Sequence, residues 1–459
     1  FREVEEGDGR MIKYKRYERY KDSGVEWIGE IPEHWICCKL GYLLNKNESG
    51  TWGDDYDDDG VLVLRSTEIT LNGTWSIVDP ARRRIHAKEY ERCLLYEGDL
   101  LLTKSSGSEQ HIGKTVIVDD NVANMNCVFS NFIQRLRTDK RKLLPKYLYY
   151  FLNTNGREQL FYLSTTTTGL KNLSGTTINS LKIQLPTIYE QIAIASFLDQ
   201  KTAEIDGLIA DKEKCIELLQ EKRQTIITEA VTKGLNPNVS MKDSGIEWIG
   251  EIPENWKVTK VKYYYDVCLG KMIQPNQEDY SDTLEYYLCA INVTWDGIDI
   301  SNLKEMWFSN EDKKKYSIKS GDLIVCEGGD VGRASIWDGR VENCYIQNAV
   351  HRVREKKNSL NKYLYYWLYF LKHAGYIDLI CNKATIMHYT YEKFLNTILV
   401  IPHLGEQQEI INYLDEKIEE INSLKKEIEQ QIQKLKEYRQ SLIFEAVTGK
   451  IDVRDYADN

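Results

Sequence analysis

Lys21-Asp-Ser-Gly-Val-Glu-Trp-Ile-Gly-Glu-Ile-Pro-Glu-His-Trp35 returns 221 residues later as Lys242-Asp-Ser-Gly-Ile-Glu-Trp-Ile-Gly-Glu-Ile-Pro-Glu-Asn-Trp256, with thirteen of fifteen positions identical and a fourteenth Val for Ile. An internal period of this quality means that one unit is used twice. The repeat has a second half. Pro186-Thr-Ile-Tyr-Glu-Gln191 matches Pro402-His-Leu-Gly-Glu-Gln407, and the match runs on through Leu198-Asp199 and Leu414-Asp415. It ends at Arg223-Gln224 and Glu229-Ala-Val-Thr232 against Arg439-Gln440 and Glu445-Ala-Val-Thr448. The order is therefore short motif, variable segment, charged helix, then all three again. The variable segments, 36–185 and 257–401, are much less alike than what flanks them. The frame is duplicated and its contents differ.

The chain of 459 residues has room for two or three domains, and each variable segment is large enough for its own core. Charged residues are 28% and Pro is scarce, which excludes a disordered chain. No apolar run reaches the length of a membrane span. The ten Cys form no C-x-x-C pair, so structural zinc is not expected and reduced thiols in a cytoplasmic protein are. Met11 reads as the start, with residues 1–10 an upstream or vector-derived extension. The formal net charge is −10, unevenly spread. Residues 36–185 hold 19 Lys and Arg against 17 Asp and Glu; residues 257–401 hold 19 against 18; the remaining frame holds 22 against 35. The near-neutral variable segments support only weak DNA binding by charge alone, so a DNA ligand would call for a partner protein carrying positive surface.

The charged segments carry heptads. Leu414, Ile421, Ile428, Leu435 and Leu442 recur every seven residues, with Ile418, Leu424, Ile432 and Tyr438 between them. Leu198, Ile205, Leu219 and Ile226 keep the same period in the first copy, interrupted at Lys212, with Ile209 and Ile216 alongside. This predicts two coiled-coil helices of about 40 residues and about 60 Å each. Two stripes in one chain pair most economically with each other, and a pseudo-twofold axis makes that pairing antiparallel. The variable segments read as mixed helix and strand. Val61–Leu64, Asp99–Leu102 and Thr115–Val118 are expected strands, Asn131–Arg137 alternates apolar and basic residues, and Lys146–Leu152 and Lys362–Leu368 are expected helices whose aromatic residues pack in the core.

Most catalytic motifs fail. Gly107-Ser-Glu-Gln-His-Ile-Gly113-Lys114-Thr115 imitates a phosphate loop but has five residues between its glycines where four are needed, and the second copy lacks Lys-Thr. There is no H-E-x-x-H, G-x-S-x-G or helix-opening G-x-G-x-x-G. The acidic run Asp54–Asp59 reads as a solvated loop. Both copies do share Gly98-Asp-Leu with Gly113-Lys114, and Gly321-Asp-Leu with Gly332-Arg333, around loops of different length. A fixed frame with an altered loop points to altered recognition.

This ordered set resembles the specificity (S) subunit of type I restriction–modification systems over essentially all of residues 20–450. The resemblance implies an α+β protein with a pseudo-twofold internal repeat: two mixed α/β target-recognition domains separated by two long antiparallel coiled-coil helices. Its expected layout is an N-terminal extension at 1–19, recognition domain 1 at 20–185 and spacer helix 1 at 186–235. Recognition domain 2 follows at 236–401, spacer helix 2 at 402–450 and a tail at 451–459. It implies that each domain reads one half of an asymmetric bipartite site in double-stranded DNA. It also implies that the helices set the spacing and dock two methyltransferase (M) subunits, which carry S-adenosylmethionine; no cofactor is expected in this chain. Nuclease–translocase (R) subunits join for cleavage, and the chain itself is not an enzyme. The competing reading is a coiled-coil scaffold whose variable domains bind proteins. Side-chain type and loop placement nominate Lys104, Ser105, Ser106, Lys114 and Arg135 as DNA contacts in the first domain. Thr166, within the polar stretch Thr165–Thr168, joins them with Lys171 and Asn172. Glu327, Arg333, Arg352, Lys383, His388 and Tyr389 are the nominations in the second. Arg and Lys suit guanine edges or phosphates, Asn suits adenine, and Glu can accept from cytosine.

Overall fold

A computed structural model describes residues 2–5, 11–167, 170–356, 358–381 and 387–456. Two long helices dominate it, Ile188–Lys233 with 46 residues and Leu404–Val447 with 44. They exceed the expected length by about a turn, because the apolar stripe continues through buried Ile227 and Val231 in one and Ala446 and Val447 in the other. At 1.5 Å per residue they run to about 66–69 Å. No helix among the described residues is long and apolar enough to cross a membrane.

The chain divides into two compact units, and the division falls inside both helices: residues 1–213 with 429–459, and residues 214–428. In the first unit the opening half of the first long helix lies antiparallel to the closing half of the second. Arg439 forks onto Asp206 at 2.9 and 3.1 Å, and Lys212 Nζ donates to Gln431 Oε1 at 2.6 Å. The apparent heptad break at Lys212 is thus a polar cross-link. The stripe is best buried where it meets the domain cores, at Leu198, Ile205, Leu414, Ile418 and Leu442. It thins in the middle, where a single helix has less to cover it: Leu424, an expected seam residue, is 49% exposed.

Each variable segment begins and ends on one two-stranded ribbon. Ile36–Lys39 pairs antiparallel with Lys182–Leu185, and Lys257–Lys260 with Ile398–Ile401. What lies between can therefore change without moving the frame. Both segments contain an antiparallel four-stranded sheet of the same order. It runs Leu44–Ser49, Ile133–Thr138, Leu100–Thr103, Thr115–Ile117 in the first unit, and Tyr265–Leu269, Val350–Glu355, Leu323–Cys326, Ala334–Ile336 in the second. Leu100–Thr103 and Leu323–Cys326 are buried throughout, which is why they read as unbroken apolar runs. The expected aromatic helices appear as Pro145–Leu152 and Asn361–His373. Their tyrosines are structural: Tyr150 Oη and Tyr366 Oη each donate at 2.5 Å to Asp199 and Asp415 on a long helix.

The repeated motifs are joints. Gln191 Nε2 donates to the carbonyls of Lys142 and Pro186 while its Oε1 accepts from Leu144 N; Gln407 does the same with Asn358, Pro402 and Leu360. The opening motif folds as a hairpin, Tyr20–Asp22 with Glu30–Pro32 and Met241–Asp243 with Glu251–Pro253. Buried Trp35 and Trp256 follow it. In the second unit Gly234, just past the first long helix, packs on Trp256 and Pro253. In the first unit the same seat receives Gly449, just past the second long helix. There the two ends of the chain are tied by Asp452 N to Lys15 O at 2.8 Å and Tyr20 Oη to Gly449 O at 3.0 Å.

Candidate nucleic-acid interface

The strand Leu100–Thr103 delivers Lys104, Ser105 and Ser106 to its exposed end, where Ser105 and Ser106 pair with Asn172 and Lys171. Leu170–Asn172 pairs in turn with Thr165–Thr167, placing Thr166 opposite Lys171. Five nominated residues from two stretches thus share one small three-stranded sheet, Ser105, Ser106, Thr166, Lys171 and Asn172, and Lys104 immediately precedes it. Ser105 Oγ donates to Asn172 Oδ1. Lys171 Nζ sits 4.3 Å from the Phe161 ring centroid and 3.5 Å from the Glu109 carboxylate. Lys104 Nζ donates to Ser49 Oγ at 2.8 Å, and among the described residues it has no ion-pair partner. Burial lowers the pKa of this ammonium. Sequence reasoning missed Ser49 and Phe161, which hold these lysines from neighbouring elements; neither carries a charge or a motif that marks it.

In the second unit the equivalent strand, Leu323–Cys326, delivers Glu327. The Glu327 carboxylate is 15% exposed and lies 3.0 Å from Nδ1 of His388, which is 48% exposed. Lys383 and Thr168 lie outside the described residues.

The remaining nominations are corrected by their surroundings. Lys114 is buried, with Nζ donating to the carbonyls of Ser66 at 2.7 Å and Ile69 at 2.5 Å. Arg333 does the equivalent, donating to Ala290 O at 3.0 Å. Arg135 is buried and donates to the carbonyls of Leu94 and Arg92 and to Glu48. Its counterpart Arg352 donates to Lys315 O and Ser317 O, both at 2.8 Å. Tyr389 is fully buried, its hydroxyl 2.5 Å from Thr397 Oγ1. The physical reason is shared by Lys114, Arg135 and Arg352: a turn or helix end leaves carbonyls without partners, and a buried cation satisfies several at once. Arg333, 25% exposed, serves one carbonyl and lies 3.6 Å from Asp330. The phosphate-loop lookalike is likewise frame: Thr115 opens a strand rather than a helix, and Lys114 points at carbonyls. Within the acidic run, Asp57 lies 3.5 Å from Arg84 and Asp54 3.2 Å from His86, both of its own domain.

Lys114 yields a pH prediction. Burial, reinforced by the nearby Arg157 charge, lowers its pKa from 10.5 to about 8. Between those values the unfolded chain binds more protons than the folded one, so stability rises with pH there. Both N–H groups of the neutral amine can still serve the two carbonyls. Wild type should therefore gain stability relative to Lys114→Met between pH 8 and 10.5. Urea midpoints of both proteins across that window test it, and a constant difference would sink the idea.

Comparison with known proteins matches this geometry to a family. Residues 42–218 and 253–434 match the type I restriction modification DNA specificity domain. The chain is similar to a putative type I restriction enzyme MjaX specificity subunit of Methanocaldococcus jannaschii, 25% identical over 457 residues that cover 97% of this chain and 99% of that one. It is also similar to the EcoKI specificity subunit of Escherichia coli K12, at 19% identity over 94% and 92% of the two chains. Among solved structures, one titled for the assembly and conformational transition of the type I R-M system aligns with a TM-score of 0.68 at 15% identity, covering 91% of this chain and 98% of that one. The HsdS subunit from Thermoanaerobacter tengcongensis aligns with a TM-score of 0.51 at 16% identity, covering 92% and 98%. Two matched domains on one duplicated frame make this chain a member of the type I restriction–modification DNA specificity family, the non-catalytic subunit that recognises the DNA sequence.

Proposed function

We propose that each unit reads one half of an asymmetric bipartite DNA site, through the end of its central strand and the segment beside it. One observation carries this: the two units share a sheet order and a set of buried clamps, yet differ in the side chains at that strand end. The contacts proposed are Lys104, Ser105, Ser106, Thr166, Lys171 and Asn172 in one unit and Glu327, Lys383 and His388 in the other. The long helices set the distance between half-sites and dock two M subunits. Leu208, Leu218 and Leu424, exposed on those helices, are apolar surface for such a partner to cover. The M subunits carry S-adenosylmethionine and supply positive surface that the near-neutral domains lack. R subunits join for cleavage, and the complex works in the cytoplasm.

Selection from random duplex DNA by the S–M complex tests the reading. A motif of two short half-sites with a fixed gap is expected. If no such motif is enriched while the variable domains capture proteins, the scaffold reading replaces it. Within the same complex, Lys171→Ala should weaken binding about equally on all sequences and reduce the salt slope by about 1. A base-specific change instead would make Lys171 a direct reader.

A further inference from the structure

Lys104 and Glu327 occupy the same place in the two units. The hydrogen bonds of the flanking chain fix the correspondence. Lys104 N donates to Phe132 O at 3.0 Å and Lys104 O accepts from Leu173 N at 2.8 Å; Glu327 N donates to Ala349 O at 2.8 Å and Glu327 O accepts from Tyr389 N at 2.7 Å. One residue earlier, Thr103 N donates to Lys114 O at 2.9 Å and Cys326 N to Arg333 O at 2.7 Å. The surrounding frame is alike down to the cation that follows, Lys114 or Arg333, while the side chain at this position reverses charge.

The chemistry of each side chain narrows what it can meet. Lys104 is a half-buried cation whose only side-chain partner among the described residues is a hydroxyl, so its surroundings leave room for an acceptor. In the major groove guanine presents two acceptors side by side, N7 and O6. Glu327 is an anion on a surface meant for a polyanion. It cannot contact phosphate, and the acceptor sites that His388 leaves open on its carboxylate suit a base donor. Cytosine presents its N4 amino group with no acceptor beside it, whereas adenine sets N7 next to its amino group and would repel a carboxylate oxygen. His388, 3.0 Å away, holds the carboxylate in place.

We infer that this position determines base identity in both half-sites: Lys104 selects guanine in the half read by the first unit, and Glu327 selects cytosine in the half read by the second. The inference rests on the DNA-reading function proposed above. It deepens that function by naming the position and the bases.

The test uses the full chain assembled with its M subunits, and motifs selected from random duplex DNA by wild type and by Glu327→Gln and Lys104→Gln. A glutamine amide matches the N6 and N7 edge of adenine. Glu327→Gln should switch one position of one half-site from cytosine to adenine, by roughly ten- to a hundredfold in preference. The other half-site should stay unchanged, which also shows that the variant is folded. Lys104→Gln should switch one guanine to adenine in the opposite half-site only. A selected motif identical to wild type, or affinity lowered evenly on all sequences, overturns the inference while leaving the function standing. A wild-type complex that enriches no bipartite motif overturns both.

Discussion

Asp322→Ala is expected to destabilise the second unit towards the lower end of about 3–5 kcal/mol, the range for removing one member of a buried ion pair. Asp322 is 1% exposed and receives Arg354 bidentately at 2.8 Å on each oxygen, with Lys319 N donating to the same carboxylate at 2.9 Å. Truncation leaves the guanidinium without its counter-charge and a backbone N–H without its acceptor. Arg354 retains 28% exposure, so water recovers part of the loss. For a unit of this size the thermal midpoint should fall by at least about 6 °C. Asp322→Asn keeps the shape and the acceptor for Lys319 N, and should fall between wild type and the alanine variant. Midpoints of the full chain followed by tryptophan fluorescence check this; a shift below about 2 °C for the alanine variant would mean that the pair is dispensable. The same prediction holds at Asp99, which Arg137 grips at 2.6 and 2.7 Å.

That pair shows why some of the molecule was legible in the sequence and some was not. Gly98-Asp-Leu and Gly321-Asp-Leu, and the paired arginines at 135, 137, 352 and 354, recur in both copies because the frame needs them. Sequence reasoning located those positions correctly as fixed points. It then nominated Arg135, Arg352, Lys114 and Arg333 for DNA because they are cations near loops. A linear pattern shows a charge and not the carbonyls it faces, which come from segments such as Leu94 and Ala290, 41 and 43 residues away. A second signal lies where the copies differ. Lys104 and Glu327 fall at equal steps after the shared Gly-Asp, and their opposite charges are visible without a structure. The gathering of Lys104 to Ser106 with Lys171 and Asn172 was legible only as two polar stretches, because strand pairing across 67 residues leaves no local periodicity. The halving of both long helices between the units was not legible either. It depends on the tail after Gly449 meeting the segment before Trp35, a closure made by packing and by hydrogen bonds between residues more than 400 apart in sequence.

That closure supplies a contrast between two glycines with one role. Gly449 has φ +71°, and an added Cβ would lie 2.6 and 2.7 Å from Pro32 ring atoms and 3.0 Å from Trp35. Gly234 has φ +76°, but there the nearest atoms are Trp256 at 3.3 Å and the Glu406 carboxylate at 3.4 Å. Both alanine variants bear the left-handed backbone penalty of about 1–2 kcal/mol. Gly449→Ala adds an overpacking penalty of about 1–3 kcal/mol, because neither a proline ring nor a buried indole can swing aside. Gly234→Ala meets a gap that a few tenths of an ångström relieves. Hydrogen exchange separates the two effects by location. Gly449→Ala should strip protection from the hairpin and Trp35 region, residues 20–35, and Gly234→Ala should lower it only modestly in residues 241–256. Equal losses at the two hairpins would show that backbone strain governs both sites and that the tight contact with Pro32 is relieved. The expected inequality would show that the joint formed by the chain's two ends is packed more closely than the one formed by continuous chain, and that the repeated motif is retained because a helix end must sit on it.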